Sequence, residues 1–210
     1  MTYTQQIVEV IRKYLKDGDW NFSFDEDDDV FTFGLSLHKS KMKKLHYLIG
    51  VREDDFVVYA ISPIGVDIDD PNMVAAMTEF LIRANYGMLN GCFEMDMSDG
   101  EIRYKSYVDC EGQLPSKEII GNSIHCPAAM FDRYGDGLLS VIFNGADPKT
   151  AVDICEGKRS SPLARSSDNE EDSEITRSLI DALSKRFDEL SGGGEDPDPD
   201  EDDDEDDGDE

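Results

Sequence analysis

The sequence predicts an α+β fold in which a mainly antiparallel sheet is covered on one face by helices, and three observations carry that prediction. Segments with helical spacing of apolar residues and segments with strict two-residue alternation follow one another in the order α-β-β-β-β-α-β-β-α-α. Residues 83–108, RANYGMLNGCFEMDMSDGEIRYKSYV, spell out a helix exit, a strand, a tight turn and a return strand. The composition then breaks: up to Lys158 the chain has the aromatic and β-branched residues of a core, and from Ser160 onward it has almost none.

The first helix is read from Ile7, Val8, Ile11, Tyr14 and Leu15, with Gly18 at the C-cap position. Trp20, Phe22 and Phe24 alternate, the acidic run 25–29 turns the chain, and Phe31, Phe33, Leu35 and Leu37 alternate again. Leu45, Tyr47, Ile49 and Val51 give a third strand, and the nearly continuous apolar run 56–61 suggests a central fourth. A second helix begins at an Asp N-cap before Pro71 and buries Met73, Ala76, Met77, Phe80, Leu81 and Ala84.

Gly87 supplies the positive φ expected at the end of that helix. Phe93, Met95 and Met97 form the apolar side of the next strand, and Asp99-Gly100 is read as a type I′ hairpin turn. On the polar side Glu94 and Asp96 should lie across from Arg103 and Lys105. A largely helical stretch to Phe143 follows, with Ile119, Ile120, Ser123, Ile124, Met130, Phe131 and Tyr134 at its buried positions. Pro127 should kink or divide it, and residues 135–137 offer a second break. Asp147-Pro148 starts a last short helix.

The expected organisation is one domain over 1–158, a Ser-rich polar linker over 159–173, an amphipathic helix over 174–191 and a disordered acidic tail over 192–210. Ile175, Leu179, Leu183, Phe187 and Leu190 trace a stripe along that helix and are the candidate partner-binding residues. Docking on a partner or on its own domain competes with fraying in water, since isolated helices of this length are barely stable.

The chain has 210 residues and a formal charge of −28, of which residues 195–210 contribute 13 acids and no base. This balance argues against nucleic acid as a partner, because phosphate contacts depend on lysine and arginine. No segment approaches the apolar length of a membrane span, and the N-terminus lacks a signal peptide's pattern, so the expected location is the cytoplasm. Cys92, Cys110, Cys126 and Cys155 form no CxxC pair and are expected as reduced, largely buried thiols.

Candidate chemistry is sparse. The acidic runs 25–29 and 67–70 read as a solvated hairpin loop and a helix cap rather than calcium sites. His38 and His46 flank a basic loop with Lys39, Lys41, Lys43 and Lys44, expected to be solvated, although it could also meet an acidic partner or the chain's own tail. His125 and Cys126 are adjacent in a helix, so their side chains diverge by about 100°. No glycine-rich phosphate motif follows a strand, and neither GxSxG nor HExxH occurs. No catalytic, cofactor-binding or metal-ligating residue is therefore assigned.

The segment RANYGMLNGCFEMDMSDGEIRYKSYVDCEG, with SPIGVDIDDPNMVAAMTEFL before it and EIIGNSIHCPAAMFDRYGDGLLSVIFNGADPKTAV after it, resembles the YbjN family of bacterial proteins. The likeness spans roughly residues 4–156. It implies a fold similar to type III secretion chaperones, an α+β sandwich that often forms homodimers, and members are provisionally described as sensory-transduction regulators. It brings no catalytic residues, and shared fold does not transfer peptide binding. The expected function is a non-enzymatic, cytoplasmic protein-binding or regulatory module with an unidentified protein partner, in signal transduction or stress regulation. The alternatives are an enzyme with an unfamiliar pocket and an acidic scaffold that binds basic proteins through its tail.

Overall fold

The structure is a computed structural model, and it describes residues 2–158. The expected linker, amphipathic helix and acidic tail lie outside the described residues, and so do Ile175, Leu179, Leu183, Phe187 and Leu190.

The chain forms α1 (Tyr3–Asp17), β1 (Phe22–Asp25), β2 (Val30–Ser36), β3 (Lys44–Val51), β4 (Asp55–Ile61), α2 (Pro71–Asn85), β5 (Cys92–Met95), β6 (Ile102–Asp109), α3 (Lys117–Asn144) and α4 (Pro148–Cys155). The strands make one six-stranded sheet in the order β1-β2-β3-β4-β6-β5, antiparallel throughout. The predicted element order and the helix-covered antiparallel sheet are therefore what the chain adopts.

Local chemistry sets the helix ends. Thr2 and Gln5 close a capping box on α1, with the Thr2 Oγ1 accepting from the Gln5 N–H at 3.2 Å and the Gln5 Oε1 accepting from the Thr2 N–H at 2.9 Å. Asp70 accepts from the N–H groups of Asn72 and Met73 at the start of α2, with Pro71 at the first helical position. Asp147 does the same for Thr150 in α4. The caps at Asp70 and Asp147 are legible in the sequence because a short carboxylate before a proline stands where orphan N–H groups point.

The sheet's inner face is built from one parity of each strand. Phe31, Phe33, Leu45, Tyr47, Ile49, Phe56, Val58, Ala60, Ile102 and Tyr104 are buried beneath Ile7 and Ile11 of α1, Met77 and Phe80 of α2, and Ile120, Ile124 and Phe131 of α3. Rings interlock there: Phe33 stacks on Tyr47 at 5.1 Å, and Phe93 meets Phe131 edge-on at 5.1 Å. The Tyr47 hydroxyl, deep in this layer, donates to the Ile124 carbonyl at 2.9 Å.

Several expectations are corrected. Pro127 does not divide α3, which runs as one helix from Lys117 to Asn144 with Pro127 buried inside it. Residues 135–137 also stay helical, and the glycine at 137 serves packing instead of a break, since a Cβ there would lie only 2.5 Å from the Cys155 Sγ and 3.0 Å from the Phe80 ring. Ile119 is 43% exposed rather than buried, one residue off the apolar face that Ile120 occupies.

The β5–β6 turn is not type I′, since only Gly100 has positive φ and Asp99 does not. The loop closes instead with Gly100 N–H on the Asp96 carbonyl and Asp96 N–H on the Glu101 carbonyl, both at 2.9 Å. Met97 therefore falls in the turn, 63% exposed, and leaves the strand's apolar row. Glycine is required at 100 for a further reason: the Val66 N–H donates to the Gly100 carbonyl at 2.9 Å, and a Cβ there would sit 2.0 Å from the Val66 oxygen. α2 ends at an extended Tyr86, and Gly87 follows with the positive φ expected at the end of that helix.

Candidate functional site

The opposite parity of the strands makes the outer face of the sheet, over which no described helix packs. Its rows follow from the register. Thr32, Leu48, Tyr59, Lys105 and Cys92 lie side by side across β2, β3, β4, β6 and β5, flanked on one side by Val30, Gly50, Val57 and Tyr107. On the other side run Gly34, His46, Ile61, Arg103 and Glu94. A half-solvated face of an antiparallel sheet is usually polar. Here its middle is apolar, with Val30, Leu48, Tyr59 and Ile61 half-buried and Tyr107 52% exposed.

One end of that face is ionic. The Arg103 Nε donates to the Glu94 Oε2 at 3.1 Å, the Lys105 ammonium pairs with the other Glu94 oxygen, and the Arg103 guanidinium lies 4.2 Å from the centre of the Tyr59 ring. Burial pushes the Glu94 carboxyl up, but hydrogen bonds from Lys105 and Arg103 outweigh it and hold its pKa below the ordinary value. The expected cross-strand pairing thus holds for Glu94. Asp96 instead turns back on its own loop, accepting from the N–H of Ser98 at 2.8 Å and from its hydroxyl at 2.6 Å.

The basic loop before β3 is docked rather than merely solvated. The Asp132 carboxylate on α3 accepts from the N–H groups of Lys39 and Ser40 at 3.0 Å each, and the Asp136 carboxylate accepts from Lys41 N–H at 2.8 Å. Ser40 and Met42 are thereby buried, while Lys39, Lys41 and Lys43 keep their ammonium groups in water. The 25–29 run forms a hairpin loop, with Asp25 accepting from the N–H of Asp27 at 2.9 Å. Among the described residues no group of three or more His, Cys, Asp or Glu side chains is placed to hold a metal ion.

His125 and Cys126 diverge as helical geometry demands. His125 faces Tyr14, Nε2 to hydroxyl 3.4 Å, and the Trp20 ring, whereas the Cys126 thiol reaches the Asn90 carbonyl at 3.8 Å. Cys110 is buried, and the other cysteines are half-buried, free thiols. Burial first, then neighbouring carboxylates, pushes the Cys110 thiol up to about 11, and burial does the same to Cys155.

A second surface lies on the helical side. The loop after α2 and the middle of α3 enclose a groove of about 470 Å³ whose rim carries Tyr86 and Leu89. Sequence reading missed this groove and the outer-face patch alike. The outer-face apolar residues occupy the polar parity of their strands, so alternation assigns them to solvent, and the one signal was the lack of alternation along 56–61.

No helix among the described residues is long and apolar enough to cross a membrane. No curated protein matches the chain. A crystal structure of YbjN from E. coli is similar at a TM-score of 0.45 and 12% identity, covering 72% of this chain and 93% of that one. The model of the YbjN family, described as "Putative bacterial sensory transduction regulator", matches residues 8–140. That match covers more than half of the chain and takes in every strand and most of α3, so this protein belongs to the YbjN family.

Proposed function

We propose that this chain is a non-enzymatic regulatory module that binds a protein partner across the outer face of its sheet. The observation that carries the reading is the apolar patch of Val30, Leu48, Tyr59, Ile61 and Tyr107, set in a rigid sheet with no described helix over it. A surface of this kind, apolar at the centre with an ionic edge, has the anatomy of a protein interface. Rigid strands also fix its side chains before binding, which reduces the ordering cost.

The family's regulatory description supports the same reading. Its setting is bacterial signal transduction or stress regulation in the cytoplasm. The simplest occupant is a second copy, giving a homodimer, and a different protein is the other. Neither of the two most perturbed thiols lends a nucleophile to an enzymatic reading, since both stay protonated near neutrality.

The test uses the full chain and Leu48→Glu, which places a charge at the centre of the patch without touching the inner core. Light scattering should find a dimer, or affinity capture from the native lysate a specific protein, and either should disappear in the variant while its melting temperature holds. A strict monomer that captures the same proteins with and without Leu48→Glu would overturn the proposal.

A further inference from the structure

The described chain ends on the rim of the helical-side groove, whose walls include Tyr86, Met88, Leu89, Cys126, Met130 and Tyr134. Tyr86 is 91% and Leu89 103% exposed, whereas the other large exposed hydrophobics range from 38% to 65%. They are not loose. The Met88 N–H donates to the Asn85 carbonyl at 3.1 Å, the Tyr104 hydroxyl donates to the Asn90 carbonyl, and Gly87 and Gly91 take the positive φ values that turn the loop outward. A braced loop that holds two large apolar side chains in water next to an apolar groove marks an interaction surface.

The chain's exit is fixed at the same place. Glu156 lines the groove, accepts from the Tyr134 hydroxyl at 3.1 Å and pairs with the Lys158 ammonium. Lys158 is the last described residue, so residues 159–210 begin at the groove.

We infer that residues 174–191 fold back as an amphipathic helix and seat the stripe of Ile175, Leu179, Leu183, Phe187 and Leu190 over Tyr86 and Leu89 in this groove. The stripe is one helical face that is barely stable unless it finds an apolar surface. A random-coil chain of the length of 159–173 spans on the order of 20 Å. That places the stripe beside a groove that starts where the linker starts. Tethering at this range makes the encounter intramolecular, with an effective concentration in the millimolar range. The outer face of the sheet lies on the far side from α3 and α4, so the linker would have to pass around a sheet edge to reach it.

Hydrogen exchange on the full chain tests this, independently of the outer-face proposal. Amides within 175–190 should exchange at least ten-fold more slowly than a free chain does, at any protein concentration. The double variant Tyr86→Asp and Leu89→Asp should abolish that protection while the amides of the sheet keep theirs, because neither side chain packs into the core of residues 2–158. Free-chain exchange at 175–190 in the unmodified protein would overturn the inference. So would protection that survives the double variant, that is lost instead in Leu48→Glu, or that grows with protein concentration and so comes from a second copy.

Discussion

Along β3, Leu45, Tyr47, Ile49 and Val51 point beneath the helices and are at most 6% exposed, while Lys44, His46, Leu48 and Gly50 between them face the other way and are only half-buried. Both sets share one backbone and one pattern of hydrogen bonds. The inner set is dictated by packing, since a sheet with helices above it must fill that space at the density of a protein interior. The outer set has no such constraint, and polar side chains would serve there at less risk of aggregation. That Leu48 is instead joined by Val57, Tyr59 and Ile61 on its neighbouring strand is therefore the more informative of the two facts.

Truncation on the two faces should separate them by the widest margin. Phe131→Ala removes a fully buried ring that meets Phe93, and should cost about 3–5 kcal/mol in urea unfolding of the full chain. Leu48→Ala should cost under about 1 kcal/mol, because a half-exposed side chain loses less transfer energy and leaves no cavity. Equal losses would mean that the outer face is covered in solution and would break the comparison. An intermediate loss for Leu48→Ala that vanishes on dilution would sharpen it, by showing that the cover is a second copy.

A smaller effect belongs to the loop that joins the two faces. Asp136→Ala removes the carboxylate that accepts from Lys41 N–H and from the Ser40 hydroxyl at 3.2 Å, and should cost about 1–2 kcal/mol. It should also speed amide exchange at residues 39–41, and at Lys41 most, since these N–H groups bond carboxylates of α3 rather than the sheet. A loop that exchanges no faster in the variant would return it to the solvated reading that its lysines suggest.

The inner face was legible because burial and periodicity say the same thing there: Ile102 and Tyr104 can point only one way once Glu101, Arg103 and Lys105 flank them, and Phe31 and Phe33 alternate with the smaller Val30, Thr32 and Gly34. Caps were legible for the same local reason. The errors share a different cause. Asp99-Gly100 looks like a two-residue turn, but the Asp96 side chain binds Ser98 and the backbone of Val66 claims Gly100, so a longer loop wins. Pro127 stands inside one helix, in a stretch that is buried against the sheet. Asp132 and Asp136 are far in sequence from the loop they hold, and no window around the lysines contains that information. The outer-face patch and the Tyr86–Leu89 rim are likewise assembled from separate segments, so each residue looks ordinary until the register brings them together.

The smallest effect concerns the ionic edge of the outer face and depends on pH. Glu94 has a pKa held below its ordinary value of 4.5, because Lys105 and Arg103 hydrogen-bond its carboxylate more strongly than burial disfavours the charge. A carboxyl whose folded pKa is depressed gives stability that is fully present above the unfolded value and is lost as pH falls through the folded one. The contribution should therefore hold from neutrality down to about pH 5 and fade below 4.5. Its partners are 35% and 37% exposed, so water screens the pair and the total should stay under about 1 kcal/mol. Glu94→Gln should lower stability by that amount at pH 7, flatten the acid limb of the curve and leave the inner-face truncations unchanged in cost. If a partner or a second copy seats on this face, salt and acid should weaken that binding in the unmodified chain and have less effect in the variant, so titration of one surface glutamate would report whether the outer face is occupied.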